Sequence, residues 1–203
     1  MSRTITRLFD DYADAKAAVA ELERLGVPHD DLSIVANNTH GDHVVGDGTT
    51  GGDVGRGATT GAAIGGVGGL LAGLGLLAIP GLGPIVAAGW LAATAAGAAI
   101  GGVGGAAAGG LVGALKHAGH TEEEAHVYSE GVRRGGTLVS ARVSDELAPA
   151  AEAALNGRNG VDATTRGEDY RRAGWAGFDE TAAPYTAEEI ERDRGSYRRE
   201  PIV

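Results

Sequence analysis

GAAIGGVGGLLAGLGLLAIPGLGPIVAAGWLAATAAGAAIGGVGGAAAGGLVGAL, from Gly61 to Leu115, contains no Asp, Glu, Lys or Arg. The whole chain carries 27 acidic and 17 basic residues and a net charge of -10, so this stretch is chemically distinct from its surroundings. Its glycines are periodic. Gly57, Gly61, Gly65, Gly69 and Gly73 fall at every fourth position, and Gly97, Gly101, Gly105, Gly109 and Gly113 repeat the pattern. On a helix, residues four apart share a face, so each ladder predicts a groove without side chains into which another helix backbone fits closely. Each interior glycine costs a helix about 0.5–1 kcal/mol relative to Ala, which close packing has to offset. Ile79-Pro80-Gly81-Leu82-Gly83-Pro84 supplies a turn. The spacing therefore predicts a helical hairpin with arms Gly57–Ala78 and Pro84–Leu115, a glycine zipper.

At about 1.5 Å per residue the arms are roughly 33 and 48 Å long, enough to cross an apolar layer of about 30 Å. Arg56 and Lys116 bracket the hairpin on one side, and Trp90 lies toward its tip, as a membrane-inserted hairpin requires. A soluble arrangement satisfies the same residues, with the ladders packed against one another and against further copies of the chain. Both readings imply self-association through the hairpin. They place the protein at a membrane with both ends of the hairpin facing the cytoplasm, or in the cytoplasm.

Outward from the hairpin the pattern is ordinary. Thr4–Phe9 reads as a strand, and Ala13, Ala17, Val19, Ala20, Leu22 and Leu25 recur at helical spacing up to a capping Gly26. Leu32–Ala36 reads as a second strand. On the far side, Thr121 is an N-cap followed by Glu122, Glu123 and Glu124, and Arg133 and Arg134 close that helix. Thr137–Val143 alternates as a strand, Ser144 caps a further helix, and Val161–Thr164 forms a short closing strand. The predicted fold class is α+β: a ferredoxin-like split βαβ domain interrupted by a glycine-zipper helical hairpin, with a disordered C-terminal tail. Its parts are residues 4–37, a linker 38–56, the hairpin 57–116, the second half 117–164 and a charged tail 165–203. The hairpin is expected to add no strand to the sheet.

Composition excludes several kinds of chemistry. The absence of Cys removes disulfides and thiolate sites, and the N-terminus lacks the apolar run of a signal peptide. An acidic chain without a basic, aromatic-rich patch has no nucleic-acid partner. Gly46, Gly48 and Gly51 match G-x-G-x-x-G, but no strand feeds them, no helix opens from them, and Asp42, Asp47 and Asp53 repel a pyrophosphate. His40 and His43 with Asp42, and His117, His120 and His126 with Glu123 or Glu124, lack a recognised metal-ligand spacing and read as solvated side chains. Ser140 has no evident base. Arg133 and Arg134 read as charge at a helix C-terminus, or as contacts to anionic headgroups if the hairpin inserts. In the tail, Trp175, Phe178 and Tyr185 stand out from polar surroundings, and Thr186 caps a short helix; the segment solubilises the chain or docks a partner. No catalytic, cofactor or metal residue and no small-molecule substrate is identified, so the ten ladder glycines are the predicted functional positions.

TRLFDDYADAKAAVAELERLGVPHDDLSIVANN, the glycine-rich segment and GHTEEEAHVYSEGVRRGGTLVSARV together resemble the bacterial general stress protein family of heat-induced or low-temperature-induced proteins. The resemblance runs from about Thr4 to Val143, with EEEAHVYSEGVRRGGTLVSARV its most family-like segment. It implies a stress-associated, non-enzymatic protein and no catalytic residues.

Overall fold

The structure, a computed structural model, describes residues 2–41, 75–79, 81–100 and 110–197, with the side chains of 96–100 and 195–197 left aside. β1 (Ser2–Phe9), α1 (Tyr12–Arg24) and β2 (Leu32–Asn37) follow the expected order. Asp11 caps α1 by accepting the Ala13 N–H. Next come β3 (Gly75–Ile79), β4 (Gly83–Gly89), α2 (Trp90–Ile100) and α3 (Gly110–His117). α4 (Glu122–Arg133), β5 (Thr137–Ser144), α5 (Ala148–Asn156), α6 (Ala163–Arg172) and α7 (Ala187–Tyr197) complete the described chain.

The strands form one antiparallel sheet in the order β1-β5-β2-β4-β3. β5 lies between β1 and β2, so the two halves of the chain meet inside the sheet. On the outer side of β1, Leu8 and Val161 exchange backbone hydrogen bonds of 2.9 and 2.8 Å. The expected closing strand 161–164 contracts to this single bridge, because Asp162 already caps α6 by accepting the Thr165 N–H. α5 likewise starts at Ala148 rather than directly after Ser144, whose hydroxyl instead accepts the Leu147 N–H ahead of Pro149.

The largest departure from expectation lies in the charge-free segment. Gly75–Ala78 and Pro84–Gly89, assigned above to two helical arms, lie in the strands β3 and β4, and β4 pairs with β2 from Ser33↔Gly89 to Asn37↔Ile85. The hairpin therefore adds two strands to the sheet. β2 explains why: Leu32–Asn37 is buried along its whole length and has no charged residue to protect an open edge. The Leu, Ile and Val of GLLAI and GPIVAAG suit a pleated surface, and Pro84 stands near the start of its strand, where a missing N–H is tolerated.

Strand alternation divides the core in two. Ile5, Phe9, Ile34, Val86, Val139 and Ala141 face α1 and α5. Leu8, Val35, Ile85 and Leu138 face the other way, against Leu91 of α2, Leu111 and Leu115 of α3, Val132 of α4 and Tyr170 of α6. The charge-free segment thus supplies much of the second core. The tail expected to be disordered from residue 165 carries α6 and α7, with Tyr170 and Ile190 buried.

Candidate functional site

The predicted glycine positions are only partly within the described residues. Gly97 lies in α2 and Gly113 in α3, two helices that pack on each other. Gly57, Gly61, Gly65, Gly69, Gly73, Gly101, Gly105 and Gly109 lie outside the described residues, as do Asp42, His43 and the G-x-G-x-x-G glycines. Trp90, expected at a membrane interface, instead donates its indole N–H to the Asp31 carbonyl at 3.2 Å.

The second face of the sheet is apolar around Leu8 and Leu138 but polar toward the start of β1. There Thr4 pairs with Arg142 and Thr6 with Ser140. The α3–α4 loop, the first turns of α4, and Trp90 rise around these residues and enclose an open cleft of about 740 Å³. The sequence positions this wall. Thr121 and Glu124 form a reciprocal capping box that starts α4 immediately after His120, so His120, Glu124 and Tyr128 fall one turn apart on one side.

His120 Nε2 is 2.7 Å from Thr6 Oγ1, which is in turn 2.9 Å from Ser140 Oγ. His120 Nδ1 faces Glu124 Oε2 at 3.7 Å, and its ring meets the Tyr128 ring edge-on at 5.5 Å. Tyr128 O–H donates to the Thr6 carbonyl at 2.8 Å, and its oxygen accepts the Ala163 N–H at 3.2 Å. Burial pushes the Tyr128 phenol up to about 12, so it remains a neutral donor. Burial also lowers the His120 imidazole below its ordinary value against the opposing pull of Glu124, which keeps the ring neutral at pH 7. Burial opposes ionisation of Glu124, but hydrogen bonds from Thr121 outweigh it and hold that carboxyl below its usual range.

A carboxylate, an imidazole and two hydroxyls in a row have the outline of a nucleophilic relay. Thr6 and Ser140 are each only 1% exposed, however, and their hydroxyls are already bonded to one another. The chain therefore serves to fix the cleft wall. Sequence reasoning missed it because its members lie 114 and 134 positions apart.

A second polar cluster holds the C-terminal segment. Arg134 Nε–H donates to Glu130 Oε1 at 2.7 Å, and its Nη1 reaches both carboxylate oxygens of Asp193 at 2.9 and 2.8 Å. The guanidinium lies 4.4 Å from the Tyr170 ring centroid. Burial disfavours its charge, yet Glu130 and Asp193 hold it above even its ordinary value. Arg133 donates to the Ala183 carbonyl at 3.1 Å and lies over Tyr185 at 4.7 Å. Both arginines, expected at a surface, are thus buried against the tail and are not placed to meet headgroups. Trp175 and Phe178 pack on the second core, His126 lies against Phe178, and His40 faces Glu191 at 3.6 Å.

No curated protein and no solved structure matches the chain. One family model does, and its match runs from the third residue of β1 to the last residue of β3. It takes in β1, α1, β2 and β3 but stops short of Glu122–Val143, the most family-like segment of the sequence resemblance. Residues 4–79 match the model of the family described as the heat induced stress protein YflT domain, in line with the stress protein family that the sequence resembles.

Proposed function

We propose that the protein serves in the stress response without catalysing a reaction, by associating with further copies of itself through its charge-free segment. The observation that carries this reading is β3. Gly75–Ile79 is the last strand of the sheet among the described residues, contains no charged residue, and leaves Leu76 57% exposed. An uncharged edge strand offers unpaired backbone groups to another strand, and two copies of one strand pair antiparallel about a two-fold axis. The net charge of -10 on the remainder keeps such assemblies apart from one another.

Membrane insertion, the other reading of the segment, needs both arms as free helices. Part of each arm is instead tied into the sheet, and among the described residues no helix is long and apolar enough to cross a membrane. Native mass spectrometry of wild type and Leu76→Lys tests the proposal, with vesicle flotation alongside. The expected result is a concentration-dependent oligomer that the lysine reduces to monomer at unchanged thermal stability. A wild-type monomer at all concentrations, or flotation with anionic vesicles, would overturn it.

A further inference from the structure

We propose that the cleft beside β1 is a binding site for a small molecule bearing a carboxylate or phosphate group, with Arg142 as its anchor. The cleft's volume, about 740 Å³, is that of a small-molecule site. Its charges are unequally satisfied. Glu152 pairs with Arg3 at 3.5 Å, Asp162 accepts the Thr165 N–H at 2.8 Å, and Glu124 is held by Thr121 and His120. Arg7 donates to Asn156 and to the Thr6 carbonyl. Arg142 is exposed and meets no carboxylate or carbonyl among the described residues. Its neighbour is the Trp90 ring, with Cζ 3.8 Å from the centroid.

That arrangement suits recognition of an oxyanion. Stacking on an indole restrains the guanidinium plane without consuming its N–H donors, and Trp90 is itself anchored through Asp31. The planar fork then matches the two oxygens of a carboxylate or phosphate. Thr4, the cross-strand partner of Arg142, adds a hydroxyl on the same floor. A cationic ligand finds no equivalent, because the cleft's carboxylates already have partners. The neutral His120, packed between Thr6 and Tyr128, shapes the wall rather than supplying charge.

The test is nitrogen-15 NMR of the two indole N–H signals in the full chain, assigned with Trp90→Phe and titrated with inorganic phosphate, succinate, or phosphatidylglycerol vesicles. A saturable shift of the Trp90 signal with phosphate or succinate is expected, with Trp175 unmoved. Arg142→Gln should weaken the response by about ten-fold or more, the equivalent of 1.4 kcal/mol. Arg142→Lys, which keeps the charge but not the fork, should fall between the two. Thermal melting of each variant, expected to match wild type because Arg142 is exposed, separates lost binding from lost fold. No shift with either free anion, an equal shift in Arg142→Gln, or a response to vesicles alone would overturn the assignment. None of these outcomes depends on the state of self-association.

Discussion

One methyl group decides whether β4 can turn into α2. Gly89 ends β4 with φ +86°, and a Cβ there would lie 2.1 Å from the Leu32 carbonyl oxygen, a backbone atom of the neighbouring strand. Gly26, after α1, has nearly the same φ of +89°, with nothing within 4 Å of where its methyl would stand. Gly26→Ala should therefore cost only the conformational penalty, about 1 kcal/mol. Gly89→Ala should cost several times more or prevent folding, as thermal melting of the pair would show. Equal costs would mean that β4 does not approach β2 so closely. His120 gives a second prediction at this scale. Its pKa is lowered by folding, so the folded chain resists a proton that the unfolded chain accepts near 6.5. The stability contributed by the neutral ring is present above that pH and is lost as pH falls toward the folded value. Wild type should lose stability just below pH 6.5, and His120→Gln should flatten that part of the profile. Glu124 and Asp162, both lowered, act only at more acid pH, below about 4.5. An unchanged slope in His120→Gln would contradict the buried, neutral assignment.

At the scale of elements, those with local signals are readable from sequence. Thr121 with Glu124 marks the start of α4, Gly26 the end of α1, and Thr186 the start of α7, where Thr186 and Glu189 exchange hydrogen bonds. The β3–β4 hairpin is not readable in the same way. Short apolar runs around a Pro-Gly turn fit strand and helix alike, and every-fourth glycines favour helix over residues whose pairing is set by β2, some fifty positions earlier. The tail misleads for a related reason. Its few apolar residues hide how it docks: Tyr170 and Ile190 are buried, Trp175 and Phe178 pack on the second core, and the Ala183 carbonyl and Asp193 carboxylate meet Arg133 and Arg134. Ile190 is fully buried, and its Cγ2 lies 2.5 Å from where a Cβ at Gly135 would stand. Ile190→Ala should loosen α7 by about 2 kcal/mol. Arg134→Gln should cost more, about 3 kcal/mol, because it leaves Glu130 buried without its closest charge partner. Trypsin cleavage at Arg192 and Arg194 should accelerate in both variants, more in Arg134→Gln. Cleavage as fast in wild type as in either variant would show that the segment is not docked.

Across the whole molecule, the described parts of the charge-free segment, residues 75–79, 81–100 and 110–115, belong to the folded body. On the second side of the sheet, Leu8, Val35 and Leu138 share one core with Ile85 and Ala87 of β4, Leu91 of α2 and Leu111 and Leu115 of α3, so the two outer halves share a core that they do not complete alone. The order of the outer strands is legible from caps and alternation, but the middle of the sheet is not, because nothing local in Gly75–Gly89 names its partner. Deleting Gly57–Leu115 behind a short linker should accordingly abolish the cooperative thermal transition, whereas a detached hairpin could be removed without that loss. The pairing of β4 with β2 is tested most directly by cross-linking. The chain has no cysteine of its own, and Val35 and Ala87 are direct antiparallel partners on the same face. Such partners lie about 4.5–5.5 Å apart between Cα atoms, within disulfide range. Mild oxidation of Val35→Cys/Ala87→Cys should give an intramolecular disulfide, read by mass spectrometry after proteolysis, while Val35→Cys/Val86→Cys, one residue out of register and on the opposite face, should give little. Free thiols in the first pair, or equal cross-linking in both, would contradict the account.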